Sequence, residues 1–229
     1  MLLVGSQMEN RLLAALPDPT RSALIARAER VALAQKEVVV ERGAMLSDVY
    51  FPLSGILSLV VRMTDAAAVE IATVGNEGFV GAAAYLGAAR SPAEVVVQIP
   101  GEALKVSLDA LPREADRLLE RYIAALMMQM SQSTACNYLH SVGQRLCRWL
   151  LMMHDGVESD ELELTQEFLA QMLAVRRPTV SEVAGVLQES AIIEYHRGRI
   201  RILDRARLEA GACECYRIVR AELDRVFAA

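Results

Sequence analysis

The spacing of apolar and polar positions changes twice along the chain, which divides it into three stretches. Between about Arg30 and Val106, short runs rich in β-branched residues alternate with turns. These runs are Glu37–Glu41, Asp48–Leu53, Ile56–Met63, Val69–Val74 and Glu94–Ile99, separated by Arg42-Gly43, Ser54-Gly55, Gly75-Asn76-Glu77-Gly78 and Pro100-Gly101. Strands of about six residues at roughly ten-residue spacing predict an antiparallel sandwich or barrel. Glu9–Arg30, arranged around Pro17-Asp18-Pro19, has helical spacing and predicts a helical cap on this β domain.

From Leu111 to about His154 the period becomes helical. Leu119, Ile123, Leu126, Met130, Ser133 and Asn137 follow one another at alternating four- and three-residue steps, an a/d seam. Such a stripe has to be covered, either by the β domain or by a second copy of the chain. Ser133 and Asn137 weaken the seam at its end, and Ser141 with Gln144 has the spacing of a capping box that restarts a helix over Val142–Met153. A break near Asn137–His140 therefore separates two helices and is a candidate hinge. Gly156–Asp160 reads as a polar linker.

The third stretch carries the most specific pattern. Thr165 opens a short helix with Leu169, Ala170, Met172 and Leu173, a tight turn follows at Ala174-Val175-Arg176, and Pro178 fits the first turn of a second helix. Packing inward through Val180, Val183, Ala184 and Leu187 turns Arg176, Arg177, Thr179, Ser181 and Glu182 outward near that helix's N-terminal end. This is helix-turn-helix geometry, and that end is the part that reaches base edges. After Ile192-Ile193, the run His196-Arg197-Gly198-Arg199-Ile200-Arg201 predicts a hairpin with glycine at its tip, a wing whose Arg197 and Arg199 can touch phosphates.

Composition narrows the class. The chain of 229 residues is 53% hydrophobic and 23% charged, enough to bury a substantial core. Tyr122–Met130 and Leu146–Met153, its most apolar stretches, fall short of the roughly 20 residues needed to cross a bilayer. No membrane partner is expected. Glu9 and Arg11 follow the apolar Met-Leu-Leu-Val start before any cleavage pattern, so no secretory signal is expected and the compartment is taken as cytoplasm.

Net charge is −5, which at first argues against nucleic acid. The sum hides an asymmetry, because residues 165–229 carry ten basic and nine acidic side chains, with five arginines against one aspartate over Tyr195–Arg207. None of the common nucleophile-elbow, zincin, P-loop or dinucleotide motifs is present, and no enzyme is expected. Of the four cysteines at 136, 147, 213 and 215, none forms a CxxC pair. A continuous helix over Leu208–Phe227 would turn Cys213 and Cys215 about 200° apart. Two ordinary thiols and no metal site are expected, with Cys136 and Cys147 as apolar fillers. The three histidines, His140, His154 and His196, read as surface or capping residues.

A β-roll, a long helix, a break and an arginine-tipped winged helix, in that order, resemble the Crp/Fnr family of bacterial transcription regulators over nearly the full length. The likeness is closest over Leu164–Leu187, in Thr165-Gln166-Glu167 and in Ala170-Gln171 through Arg177-Pro178-Thr179-Val180. It implies an α+β fold with an N-terminal antiparallel, jelly-roll-like β-roll (residues 1–110), a dimerisation helix and hinge (111–140) and a C-terminal winged helix-turn-helix (141–229). It also implies a homodimer on a near-palindromic operator in double-stranded DNA. The seam from Leu119 to Asn137 would hold the dimer, and RNA polymerase would be a further partner.

By the same resemblance Arg177 matches a guanine-reading arginine, while Thr165, Gln166 and Thr179 position phosphates. Pro178 stands in place of a frequent recognition glutamate and Glu182 in place of a second arginine, so the operator is expected to differ from the family's commonest one. In the effector domain Gly81 and the phosphate-binding pair Arg90-Ser91 are kept. Ala82 replaces the ribose-binding glutamate, and Met130 precedes a retained Ser131 where the base is contacted. Loss of that carboxylate removes a charge-assisted hydrogen bond. The resemblance therefore implies no required cofactor, and an unidentified small molecule or no ligand ahead of a cyclic nucleotide. An iron–sulfur sensor would carry its cysteines near the N-terminus, whereas the first here is Cys136. The competing class is a β-roll sensor or scaffold whose winged helix binds a protein and not DNA.

Overall fold

The computed structural model describes residues 9–64, 68–111, 117–157 and 159–228. They divide into two compact units, the first holding the chain up to Leu57 together with Val74–Ile123, the second Ser58–Thr73 and Ala124–Ala228. The start of the chain, on which the expectation about a secretory signal rests, lies outside the described residues.

The first unit opens with two short helices, α1 (Arg11–Ala14) and α2 (Asp18–Ile25). Asn10 caps α1 by accepting from the Leu13 N–H at 3.0 Å, and its amide also donates to the Pro52 and Gly78 carbonyls, all within the buried interior. Strands follow as β1 (Glu29–Leu33), β2 (Val38–Val40), β3 (Asp48–Pro52), β4 (Ile56–Arg62) and β5 (Ala68–Val74). Then come α3 (Ala82–Tyr85), β6 (Glu94–Ile99), β7 (Gly101–Ser107) and a 3-10 turn at Leu108–Ala110. They pair as two sheets, ordered β1-β7-β3 and β2-β6-β4-β5, with β1-β7, β3-β7 and β2-β6 antiparallel. The β-roll is as expected. The helical reading of Glu9–Arg30 overran, because Glu29-Arg30 already belong to β1, paired with Lys105 and Leu104 of β7.

Phe51, Phe79 and Tyr122 fill the roll, with centroids 5.4 Å apart from Phe51 to Phe79 and 5.4 Å from Phe79 to Tyr122. A Cβ at Gly78 would lie 2.1 Å from Tyr122 Cζ, so only glycine lets the chain pass there.

The long helix α4 spans Arg117–Leu139, and α5 spans Val142–Asp155. Residues 112–116 lie outside the description, and Leu111 is extended, so a helix beginning at Leu111 is not what the chain forms. The break falls where the sequence places it. Ser141 accepts from the Gln144 N–H at 3.3 Å, and the Gln144 side chain accepts from the Ser141 N–H at 3.1 Å, a complete capping box.

The seam needs correction. Leu119 (0%), Ile123 (4%), Leu126 (3%) and Ser133 (5%) are buried within their own chain, and Asn137 accepts a hydrogen bond from Arg145. Buried side chains cannot also meet a second copy. The face that α4 leaves open carries Ala124, Met127, Ser131, Ala135 and Tyr138, spaced three or four residues apart along one side of the helix. Met127 is 60% and Tyr138 90% exposed.

In the second unit, α5 is a central element, with Leu146, Trp149, Leu150, Leu151 and Met153 all buried. The Trp149 indole donates to Glu70 Oε1 at 2.9 Å, and Ser58 donates to Glu70 Oε2 at 2.6 Å. Burial raises the Glu70 carboxyl to about 7, against the lowering action of Ser58, Arg148 and Trp149. The remaining elements are β8 (Glu161–Glu163), α6 (Gln166–Met172), α7 (Arg177–Glu189), β9 (Ile193–His196), β10 (Arg199–Ile202), α8 (Arg205–Gly211) and α9 (Cys215–Phe227). The three strands pair in the order β8-β10-β9. A continuous helix from Leu208 is not formed. The chain leaves helical geometry after Gly211, with Ala212 extended, and restarts at Cys215. His154 is no isolated surface residue, since Arg205 donates to its Nδ1 while its Nε2 bonds Asp160 at 2.7 Å.

Candidate nucleic-acid interface

The helix pair is built from local signals. Thr165 caps α6 by accepting from the Phe168 N–H at 3.3 Å, and Phe168, Leu169, Ala170 and Met172 are buried. The Arg145 guanidinium donates to the Leu173 carbonyl at 3.1 Å, which satisfies the end of α6 from α5. In the turn, Ala174 adopts φ +50°, a left-handed conformation that costs a Cβ-bearing residue about 1–2 kcal/mol. The Val175 N–H donates back to the Ala170 carbonyl at 2.9 Å. Arg176 is the N-cap of α7, and Pro178 sits in its first turn, where no N–H is needed.

Val180, Ala184 and Leu187 are the buried stripe of α7, and Val183 is half-buried. That rotation exposes Arg176, Arg177, Pro178 and Glu182, and leaves Thr179 and Ser181 partly accessible. The Ser181 hydroxyl donates to Gln166 Oε1 at 2.6 Å. These two residues, read as DNA contacts, are therefore also the polar clasp between α6 and α7.

The wing forms as expected. Arg197 (φ +48°) and Gly198 (φ +81°) make a two-residue hairpin turn with both central residues left-handed. Arg197 stands exposed at the tip, while Arg199 lies opposite Glu163 in the β8–β10 register and pairs with it at 3.1 Å. The Gly198 carbonyl accepts from the Leu164 N–H at 2.8 Å, which sets the wing tip beside the start of α6. Gln188 and Tyr195 lock the wing to the helices, a role missing from the sequence reading. The Gln188 amide oxygen accepts from the Tyr195 N–H at 2.8 Å, and the Tyr195 hydroxyl donates to the Leu164 carbonyl at 3.1 Å. Burial raises the Tyr195 phenol above its usual range, so it stays a donor. The surface so framed carries Arg176, Arg177 and Arg197 on rigid elements, a cationic patch suited to phosphates and guanine edges.

The expected effector residues fall in both units. Gly81, at φ +112°, opens α3, and a Cβ there would meet Val49 Cγ1 at 2.5 Å, so steric fit alone accounts for this glycine. Arg90 is exposed and donates to the Gly43 carbonyl at 2.8 Å. Ser91 is buried and donates to the Ala93 carbonyl at 2.6 Å. Both members of the pair are thus occupied within the first unit. Met130 and Ser131 belong to the second unit, where the Ser131 hydroxyl donates back to the Met127 carbonyl at 3.0 Å. A cleft of about 620 Å³ in the first unit is lined by residues including Met45, Tyr85, Leu86 and Leu108, and not by Gly81, Arg90 or Ser91. No described helix is long and apolar enough to cross a membrane.

Residues 30–117 match the family model of the cyclic nucleotide-binding domain, and residues 144–210 match that of the Crp-like helix-turn-helix domain. Among solved structures, a CRP-family transcriptional regulator from Thermus thermophilus is 23% identical, with a TM-score of 0.67 over 80% of this chain and 96% of its own. The c-di-GMP-responsive global regulator CLP of Xanthomonas campestris superposes with a TM-score of 0.67 at 15% identity, covering 81% of this chain and 99% of its own. FixK2 from Bradyrhizobium japonicum gives 0.63 at 15% identity, over 81% and 98%. No curated protein matches the chain.

Proposed function

The chain belongs to the Crp/Fnr family of DNA-binding transcription regulators, and we propose that it acts as a homodimer that places one α7 in the major groove of each operator half-site. The observation that carries this reading is the exposed N-terminal end of α7, with Arg176, Arg177 and Glu182 outward on a helix held by Ser181–Gln166 and Gln188–Tyr195. Arg177 reads guanine, Arg176 and Arg197 meet phosphates, and Pro178 and Glu182 shift the operator away from the family's commonest one. The dimer forms through the open face of α4, from Ala124 to Tyr138. Half-sites are then read about 34 Å apart, one turn of duplex. RNA polymerase is the downstream partner of this reading.

Control runs through a ligand other than a cyclic mononucleotide, or through none. Ala82 supplies no carboxylate, and Arg90 and Ser91 are already bonded inside the β-roll. An effector shifts the DNA-competent state only by its differential affinity for it. The test is selection of bound duplexes from a random pool at fixed salt, without ligand, with cyclic AMP and with c-di-GMP, to which the Xanthomonas neighbour responds. Fixed salt matters because phosphate contacts make affinity steeply salt-dependent. A palindromic motif enriched equally in every arm supports the regulator and removes both nucleotides, and enrichment only with cyclic AMP overturns the effector reading. On the selected site, Arg177→Ala weakens binding by about 1–3 kcal/mol and relaxes one base position. A uniform loss at all positions would assign Arg177 to phosphate instead.

A further inference from the structure

Away from the DNA-reading surface, the second unit gathers four soft ligands. Cys136, His140, Cys213 and Cys215 present Sγ, an imidazole nitrogen, Sγ and Sγ, all within 4.8 Å of one another. The backbone puts them there. Cys136 lies in the last turn of α4, and His140 follows one turn later, its N–H donating to the Cys136 carbonyl at 3.1 Å. Cys213 lies in the interruption between α8 and α9 and Cys215 opens α9, and that interruption is what turns both sulfurs the same way.

We propose that Cys136, His140, Cys213 and Cys215 form a closed tetrahedral site for a thiophilic d10 metal ion, zinc being the best chemical match. Zinc holds thiolates at about 2.3 Å and imidazole at about 2.0 Å, so its ligand atoms stand roughly 3.5–3.8 Å apart. Here Cys136 Sγ and Cys213 Sγ are 3.5 Å apart, and Cys215 Sγ and His140 Nδ1 are 3.4 Å apart. The surroundings are those of a metal-binding histidine and thiolate. His140 turns its other nitrogen, Nε2, to the Glu214 carboxylate at 3.2 Å. That contact fixes the tautomer that leaves Nδ1 unprotonated toward the sulfurs, the usual device for orienting a ligating imidazole. The Gln132 amide donates to Cys215 Sγ at 3.1 Å, as amides do to metal-bound thiolate. All three cysteines are buried, at 0%, 3% and 0% exposure, and four protein ligands leave no open position, so the site is structural or regulatory and not catalytic. The ion would clip the hinge end of α4 to the α8–α9 junction.

The experiment uses the reduced, metal-stripped full chain titrated with Co²⁺ and then Zn²⁺. The expected result is one cobalt per chain, with the intense visible bands of tetrahedral cobalt and a thiolate charge-transfer band, both bleached by zinc. Cys147 is buried on α5 outside the cluster, so Cys147→Ser leaves the spectrum unchanged. Glu214→Gln, at an exposed position, weakens cobalt binding about 10- to 100-fold and keeps the spectrum. Cys215→Ser and His140→Gln weaken it further and change the bands, with circular dichroism verifying that each variant is folded. A weak octahedral spectrum, loss of the signal in Cys147→Ser, or an unchanged signal in folded Cys136→Ser and Cys213→Ser overturns the site. So does a reduced chain that takes up no cobalt and merely loses two thiols in air, which would make Cys136 and Cys213 a disulfide pair.

Discussion

Replacing Glu70 with glutamine should stabilise the protein at neutral and alkaline pH. The carboxyl is buried, accepts from Trp149 and Ser58, and is raised from its ordinary 4.5 to about 7. A difference of about 2.5 units corresponds to about 3 kcal/mol between its two protonation states. Because the folded-state value lies above the unfolded one, Glu70 is fully compatible with the fold below pH 4.5. Its contribution falls as pH rises through the window from 4.5 to about 7, and the full cost of a buried carboxylate is borne above that. Glutamine keeps an oxygen for the Trp149 indole and can donate to the Ser58 hydroxyl, so the shape and both contacts survive. The attraction of the ionised Glu70 to the buried Arg148 is already contained in the value of about 7, so it does not reduce the figure a second time. The gain for Glu70→Gln at pH 8 is at most about 3 kcal/mol, and it shrinks toward pH 5. Urea unfolding of both proteins at pH 5, 6, 7 and 8, at fixed protomer concentration, reads this directly. A variant less stable than the parent at pH 8, or a difference that stays flat across the series, would refute the reasoning.

Three further outcomes follow from the geometry. Ala174→Gly relieves a left-handed alanine in the helix-turn-helix turn and should stabilise by up to about 1 kcal/mol in thermal melts, leaving operator affinity unchanged. Arg197→Ala, at the wing tip, should weaken binding about equally on all duplexes and reduce the slope of log affinity against log salt by about 1, as measured by fluorescence titration at several salt concentrations. In the proposed homodimer the open face of α4 is the seam, so Ala135→Glu should give a monomer in analytical ultracentrifugation, because it sets a carboxylate on that face of both copies.

Features set by neighbours in sequence were the ones that could be read in advance. The Ser141–Gln144 box, Pro178 in the first turn of α7 and the Arg197-Gly198 tip each depend on residues within one turn of chain. What failed needed partners from afar. The a/d period on α4 was real, but a periodic stripe says that something covers it and not what does, and Leu119, Ile123, Leu126 and Ser133 are buried within the chain itself while Met130 is half-buried. β1 has the burial pattern of an edge, with only Leu33 fully buried, so no alternation announced it. Arg199 looked free because its neighbour across the sheet, Glu163, depends on register. The cysteine cluster joins residues 77 positions apart and depends on a helix stopping after Gly211, the single residue that could have warned against a continuous helix.

The clasps within the winged helix carry a consequence for how such a protein diversifies. Ser181–Gln166, Gln188–Tyr195 and Tyr195–Leu164 hold the frame through side chains facing inward or along the surface. Arg176, Arg177, Pro178 and Glu182 stand outside that lacing. In the proposed reading Arg177, Pro178 and Glu182 set which operators are recognised and Arg176 holds phosphate, so substitutions at those three positions would leave the scaffold's bonds in place, and duplicated copies would acquire separate sets of target genes by changing only a few codons.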